Sequence, residues 1–402
     1  MQLTALFAVF LLFAWAIFRA LPGRRARQWL LVAASLAFYA YWFPTFAILF
    51  IAMGLYSHAL LRWMHAAPKA RPAAALAGIV SWATLLIGYK YFYLLITTAV
   101  HTLGLTALSG MIPVTHWLVP LGLSYVTLRM IHLFVDSSRE LVQPLPLRTV
   151  LLFEMFFPMV EAGPVQRIES FNDQLENLDT PDSTDLGIGM QRILFGLFKK
   201  AVVAGNLVHL YPGHDFWAYP LHYSAVDIIR AIFIFSFVIY FDFSGYTDIA
   251  IGAARLFGIR LAENFNWPYL RANIAEFWRA WHITLSDWIR DYLFVPLCGH
   301  RTTKARLQLA TVSSMALCGL WHGASWNFLI WGMYHGTGLV AWKQYGQIKR
   351  KHKTLRDLAK TKPYQIACVL ATFAFVSLGW VFFQVPLHTA GGIFLKIFVP
   401  WR

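Results

Sequence analysis

Charge is the scarcest commodity in this 402-residue chain. Lys, Arg, Asp and Glu make up 13% of it, where soluble globular domains carry about 25%. That shortage speaks against an ordinary water-exposed domain. Cysteine is almost missing. Cys298, Cys318 and Cys368 form no CxxC pair, which excludes a disulfide framework and a structural zinc site. Strict polar–apolar alternation is absent, so a transmembrane barrel is disfavoured. No internal repeat is found, which removes support for an inverted-repeat transporter. GxSxG, P-loop, GxGxxG and HExxH motifs are all lacking, so the usual soluble hydrolase, nucleotide and zinc-protease chemistries have no footing.

What the chain has is apolar length. Hydrophobic residues make up 58% of it. They gather near 2–18, 28–43, 45–61, 73–97, 117–135, 146–160, 187–211, 225–242, 245–258, 307–321, 326–342 and 364–384. A helix needs about 20 residues to cross the hydrocarbon core, and backbone in lipid must satisfy its own hydrogen bonds. The expected fold is an all-α polytopic integral membrane protein. It reads as one integral domain over 1–402, with N-terminal helices in 1–116, a core in 117–342, and a basic loop plus C-terminal helix in 343–402. Block 3–18 has no basic flank before it and no small-residue cleavage site after it, so it reads as a retained helix.

The net charge of +15 is not a nucleic-acid footprint. The Lys and Arg sit in short loops between apolar blocks, as the positive-inside rule expects of cytoplasmic loops. Arg19, Arg24, Arg25 and Arg27 form one such loop, and Arg62, Lys69 and Arg71 another. Two helices between them place the N-terminus outside. Residues 98–116 carry no Lys or Arg and read as external. Lys343, Lys349, Arg350, Lys351, Lys353, Arg356, Lys360 and Lys362 put 343–362 in the cytoplasm. In the middle, 151–167 is apolar but broken by Glu154, Pro158, Glu161, Gly163 and Pro164. Proline removes a donor and disfavours helix before it, so this stretch reads as re-entrant or interfacial. Residues 168–186 are polar and read as a loop. Residues 259–306 read as amphipathic helices at the surface or lining a cavity.

Two histidines stand in tryptophan-rich apolar sequence. His322 lies in GLWHGAS, where Gly319, Gly323 and Ala324 leave room for a substrate. A neutral imidazole is the natural proton acceptor near pH 7; a core histidine bonded to a neighbouring helix is the alternative. His282 lies in WRAWHITLSDWIRDY. Read as one helix, His282, Ser286 and Ile289 share a face, with Arg279 nearby; an interfacial helix anchored by its tryptophans is equally open. Asp242 and Asp248 sit near the end of an apolar block, where ionisable groups are usually functional, although Ser244 and Thr247 could make this a helix cap. His282, His300, His322 and His335 show no i, i+4 metal-ligand spacing, so no metal is expected.

The run NFNWPYLRANIAEFWRAWHITLSDWIRDYLFVPL, followed by GLWHGASWNFLIWGMYHG, resembles the membrane-bound O-acyltransferase family. PLGLSYVTLRMIHLFVD (120–136), FFPMVEAGPVQR (156–167), YFDFSGYTDIAIG (240–252) and WVFFQVP (380–386) add to the likeness, in the family's order. The nearest branch is the bacterial one of alginate and peptidoglycan O-acetylation subunits and the D-alanyl-teichoic-acid acyltransferase. The resemblance implies ten to twelve spanning or re-entrant helices around a central tunnel, with His322 catalytic. His282 would be the second family histidine, with Thr284 where Ser is commoner. Trp281, Ser286, Arg290, Asp291, Trp321, Asn327 and Asp242 are assigned to substrate binding.

It also implies an acyl thioester donor, acetyl-CoA or an acyl-carrier thioester, used as substrate with no bound cofactor. The acceptor would be an extracytoplasmic cell-envelope polysaccharide, reached with an extracytoplasmic acyltransferase partner protein. The setting is the bilayer of the bacterial inner membrane. Acetyl is the expected group, and D-alanyl transfer is the alternative: Glu161-Ala-Gly-Pro-Val departs from the usual residues before that Gly-Pro. A histidine-relay transporter and a non-catalytic scaffold are the rivals of another class.

Overall fold

The computed structural model describes residues 5–104, 119–299 and 303–399. Among them there is no strand, only an isolated bridge between Phe265 and Trp281. The chain divides into two compact units, 1–197 with 246–262, and 198–245 with 263–402.

The first unit holds α1 (Ala5–Ala20), α2 (Arg24–Trp42), α3 (Pro44–Ala66), α4 (Arg71–Leu86), α5 (Phe92–Thr102), α6 (Leu123–Ser138), α7 (Leu147–Met155), α8 (Ile168–Glu176) and α9 (Ser183–Leu197). Helix α1 buries Phe7, Leu11, Ala14 and Phe18, one stripe at three- and four-residue spacing. Its other face exposes Leu6, Val9, Leu12 and Phe13. Apolar on both sides, it is built for lipid rather than water. The same outward apolar residues recur on α3 and α4, as in Ile48, Leu55, Leu76 and Val80. Among the described residues, four stretches are long and apolar enough to cross a membrane: Pro44–Ala66, Pro68–Tyr91, Ser183–Leu210 and Lys362–Gln384. The external stretch expected at 98–116 lies outside the described residues from 105 onward.

The broken segment at 151–167 is packed over most of its length. Helix α7 ends at Met155, and Phe156, Phe157, Met159 and Val160 are buried in the turns that follow. A helix end inside a protein leaves carbonyls that need donors. Arg129 of α6, itself fully buried, supplies them. Its guanidinium donates to Phe153 O at 3.0 Å, Glu154 O at 2.8 Å and Met159 O at 3.3 Å. The Ala162 N–H donates to the Tyr246 hydroxyl at 3.2 Å.

Two expectations fail in this region. Residues 168–186 are not a loop: α8 buries Ile168, Phe171 and Leu175, a helical period hidden within polar composition. Helix α9 then starts after Asp182, whose carboxylate accepts the Asp185 N–H at 2.7 Å. Likewise, blocks 225–242 and 245–258 are one helix, α11 (Ala225–Arg255), which runs through both units. Ser244 and Thr247 lie in its interior and are not caps. Asp248 is buried there and pairs with Arg192 at 2.6 Å, which makes an ionised group tolerable in that setting.

The second unit begins with a π-helical stretch, Phe198–Ala204, followed by the short α10 (Gly205–Leu207) and the first part of α11. It continues with α12 (Ile274–Trp278), α13 (Ile283–Ile289), α14 (Val295–Cys298), α15 (Lys304–His322), α16 (Trp326–Lys351), α17 (Lys353–Leu358), α18 (Lys362–Gly379), α19 (Val381–Gln384) and α20 (Leu387–Phe398). The basic stretch expected as a loop from 343 is mostly helix. Lys, Arg and Gln are good helix formers, so α16 carries on to Lys351 and α17 follows. Helix α20 is an additional apolar helix beyond the last expected block.

Candidate functional site

Helices α15 and α16 form an antiparallel hairpin turned at Gly323–Ser325, with His322 as the last residue of α15. Their approach is set by backbone contact. A Cβ on Gly319 would lie 2.0 Å from Phe328 O, and one on Gly332 would lie 2.1 Å from Met315 O. Gly332 and Gly336 form the GxxxG spacing that lets membrane helices touch. Ser325 caps α16, its hydroxyl accepting the Asn327 N–H at 3.3 Å. The Asn327 amide donates to Val385 O at 2.5 Å, tying the tip of the hairpin to the chain just after α19. Through that tie Phe383 of α19 stands 5.4 Å from His322, centroid to centroid.

His282 is set apart by a different device. The Asn266 N–H donates to Ala280 O at 2.9 Å, and the Ile283 N–H to Asn264 O at 3.0 Å. The Thr284 hydroxyl donates to Asn264 Oδ1 at 2.6 Å. Thus pinned to 264–266, the backbone at His282 takes φ 46°, ψ 54°, a left-handed conformation uncommon for residues other than glycine. The single helix expected through His282, Ser286 and Ile289 is therefore two, α12 and α13, broken at the histidine. Long-range pairing with Asn264 has overridden local helical periodicity. Just beyond, Arg290–Phe294 form a π-helical turn, a feature frequent at functional sites.

These devices bring the two histidines to one side chain. The Trp321 ring lies 6.1 Å from His282 and 4.9 Å from His322. Trp331 stands at 86° to His322 at 5.2 Å, and Phe243 of α11 packs on His282 at 4.8 Å. His282 is buried, whereas His322 is partly open. Only an accessible imidazole can meet a substrate and exchange its proton, so exposure separates the two.

A cavity of about 310 Å³ lies about one helical turn from each histidine, and neither imidazole lines it. Ser286 and Cys318 line it; each lies four residues from a histidine, about 6 Å along a helix. Arg279, Arg290 and Lys343 provide its cations, and Trp278, Ile289, Met315 and Trp342 its apolar walls. Its chemistry suits a ligand with an anionic end and an apolar or thioester-bearing arm.

The other residues assigned from sequence are distributed as follows. Trp281 is buried among Phe265, Tyr269, Phe277 and Trp380. The Ser286 hydroxyl donates to Trp281 O at 3.2 Å. Arg290 pairs with Asp287 at 2.7 Å and Asp291 at 2.8 Å. Asp242 is ion-paired with Lys200; its neighbour Phe243, not Asp242 itself, reaches His282. Asn327 serves the scaffold contact described above.

Sequence reasoning passed over Asn264, Trp331 and Phe383 as parts of the site. All three fall inside the runs that carry the family resemblance, but their parts in the site depend on contacts across a long sequence separation, which those runs do not show. In the sequence His335 stands out only as a candidate metal ligand. It is fully buried against Trp331 at 4.7 Å and Trp278 at 5.3 Å.

Among the described residues, one group of potential metal ligands gathers within 4.8 Å: His132, Asp136 and Glu169, in the first unit. His132 Nε2 already accepts the Ile168 N–H at 3.1 Å, and Arg139 approaches Asp136 at 3.8 Å. Neither His282 nor His322 belongs to it.

The sequence model of the MBOAT, membrane-bound O-acyltransferase family, matches residues 38–382. The chain is 34% identical to "Probable alginate O-acetylase AlgI" of Pseudomonas syringae pv. tomato, over 94% of this chain and 71% of that protein. It is 31% identical to "Peptidoglycan O-acetyltransferase" of Helicobacter pylori, over 88% and 70%. With "Teichoic acid D-alanyltransferase" of Bacillus subtilis it shares 30% identity, over 67% and 69%. With two histidines meeting on one indole and a match across most of its length, the chain belongs to the membrane-bound O-acyltransferase family and is an O-acyltransferase of the membrane.

Proposed function

We propose that this protein moves an acetyl group from a cytoplasmic thioester, acetyl-CoA or an acyl-carrier thioester, toward hydroxyls of an extracytoplasmic polysaccharide. It works in the bacterial inner membrane as one catalytic domain, with an extracytoplasmic acyltransferase as partner. The observation that carries this reading is the meeting of His282 and His322 on Trp321, beside a cavity with three cationic residues. Cations suit the phosphates of coenzyme A or of a phosphopantetheine arm. The alginate and peptidoglycan relatives match 94% and 88% of the chain, and the D-alanyl relative 67%, which favours acetyl and a polysaccharide.

The chemistry needs alignment and one proton transfer. His322 takes the proton from the incoming hydroxyl as its oxygen attacks the thioester carbonyl carbon. The C–S bond breaks, and the leaving thiolate recovers that proton from His322. His282, buried and held in its turn, orients the substrate or supports His322. Arg290, with Asp291 at its side, and Ser286 serve the donor cavity; Trp321 and Trp281 wall the site. Asn327 and Asp242 contribute through the contacts they hold.

The test is acetyl transfer from labelled acetyl-CoA to polysaccharide by purified protein in nanodiscs. His322→Ala should insert normally and transfer nothing; wild-type product from that variant would overturn the proposal. D-alanyl-carrier thioester in the same assay distinguishes the other donor. On this reading the N-terminus lies outside and 343–362 faces the cytoplasm. In intact cells, labelling of a cysteine at Lys351 by an impermeant reagent while one at Thr106 stays protected would reverse that topology.

A further inference from the structure

A second cavity is outside the histidine site. It is a surface cleft of about 470 Å³ between α16 and α18. Along α16 it runs from Gly338 to Lys349, and along α18 from Tyr364 to Phe375. Twelve residues of helix on either side, eleven steps of rise, make it about 16 Å long. One leaflet of a hydrocarbon core about 30 Å thick has that depth.

The cleft has one charged lining residue, Lys349, and it stands at one end. Phe375 and Gly338 mark the apolar end. At the other, the Tyr345 and Tyr364 hydroxyls share a hydrogen bond at 2.7 Å, and Lys349 stands over the Tyr345 ring at 5.9 Å. That end opens into the most basic stretch of the chain. Its one acid, Asp357, is already paired with Lys360 at 2.9 Å. Helix α18 starts a segment long and apolar enough to span a membrane. The apolar end of the cleft is therefore at hydrocarbon depth and its basic end at the headgroups. Trp342 belongs to both cavities, lining this cleft and the one beside the histidines.

We propose that this cleft binds an anionic phospholipid, with its phosphate at Lys349 and the tyrosine pair and one acyl chain along α16 and α18. Basic clefts between membrane helices hold anionic headgroups by charge, and the apolar groove favours a phosphate that carries an acyl chain over one that does not. Through Trp342, the bound chain supports the wall of the donor cavity. That last point rests on the acyl-transfer reading; the site itself does not.

Native mass spectrometry of the purified full chain, exchanged into equal phosphatidylglycerol and phosphatidylcholine, tests the site without reference to activity. Phosphatidylglycerol should be retained preferentially, by about fivefold for one lysine. Lys349→Glu should abolish that preference by charge, and Ala371→Phe should lower retention by filling the groove. Equal retention of both lipids, or phosphatidylglycerol retention unchanged in both variants, overturns the proposal. Acetyl transfer in phosphatidylcholine and phosphatidylglycerol nanodiscs reads the coupling. A rate that rises with phosphatidylglycerol in wild type but not in Lys349→Glu supports it, and lipid-independent rates refute the coupling alone. Selective retention with no transfer at all would leave the lipid site standing and remove the catalytic reading.

Discussion

Gly332→Ala adds one methyl at the place where α15 and α16 touch. Its Cβ would sit 2.1 Å from Met315 O and 2.8 Å from Ala316 Cα. Neither atom is the end of a flexible side chain, so the helices must separate by about 1 Å to reach ordinary contact. His322 ends the helix that moves, and Trp331 and Phe383 hold it from the other side. A misplacement of about 1 Å costs roughly 100-fold in rate when chemistry depends on alignment. Alanine also favours helix over glycine by about 1 kcal/mol, which offsets part of the packing loss, so the variant should still insert and purify. The assay is acetyl transfer at matched protein amounts, beside thermal unfolding in detergent. Gly391→Ala in α20 is the control: nothing lies within 4 Å of its added methyl, and its rate should equal wild type. A wild-type rate from Gly332→Ala would refute the claim that backbone contact between α15 and α16 sets the position of His322.

Two further outcomes follow from the site and from the carboxyl cluster of the first unit. Glutamine keeps a donor and an acceptor but takes no proton at neutral pH, so His282→Gln should keep more activity than His322→Gln; the reverse order in matched transfer assays would exchange the two roles. The Glu169 carboxyl is pushed above its ordinary 4.5, chiefly by burial and also by Asp136 beside it. The folded state then binds the proton more tightly than the unfolded chain, and its contribution to stability is lost as pH rises from about 4.5 through the raised value. Glu169→Gln should flatten that loss in thermal unfolding measured across this range, and an unchanged pH slope would count against it.

Sequence alone determined the solvent. Apolar length with little charge leaves helices in lipid as the one economical arrangement of backbone hydrogen bonds, and this follows from composition and run length without any long-range contact. It also marked His282 and His322, because imidazoles in apolar, tryptophan-rich sequence are conspicuous. Tertiary structure decided how they are used. The break at His282 comes from pairing with Asn264, nearly twenty residues upstream, which no periodicity of 277–292 could reveal. Blocks 225–242 and 245–258 join into one helix, within which Asp248 finds its counter-charge in Arg192 at 2.6 Å, a partner distant in sequence. The turn after α7 was legible as a break, from its prolines and glycine, but not as a packed core, because its carbonyls are satisfied by Arg129 from another helix. Local patterns report what a segment prefers in isolation; which preference survives is settled by the partners that folding brings to it.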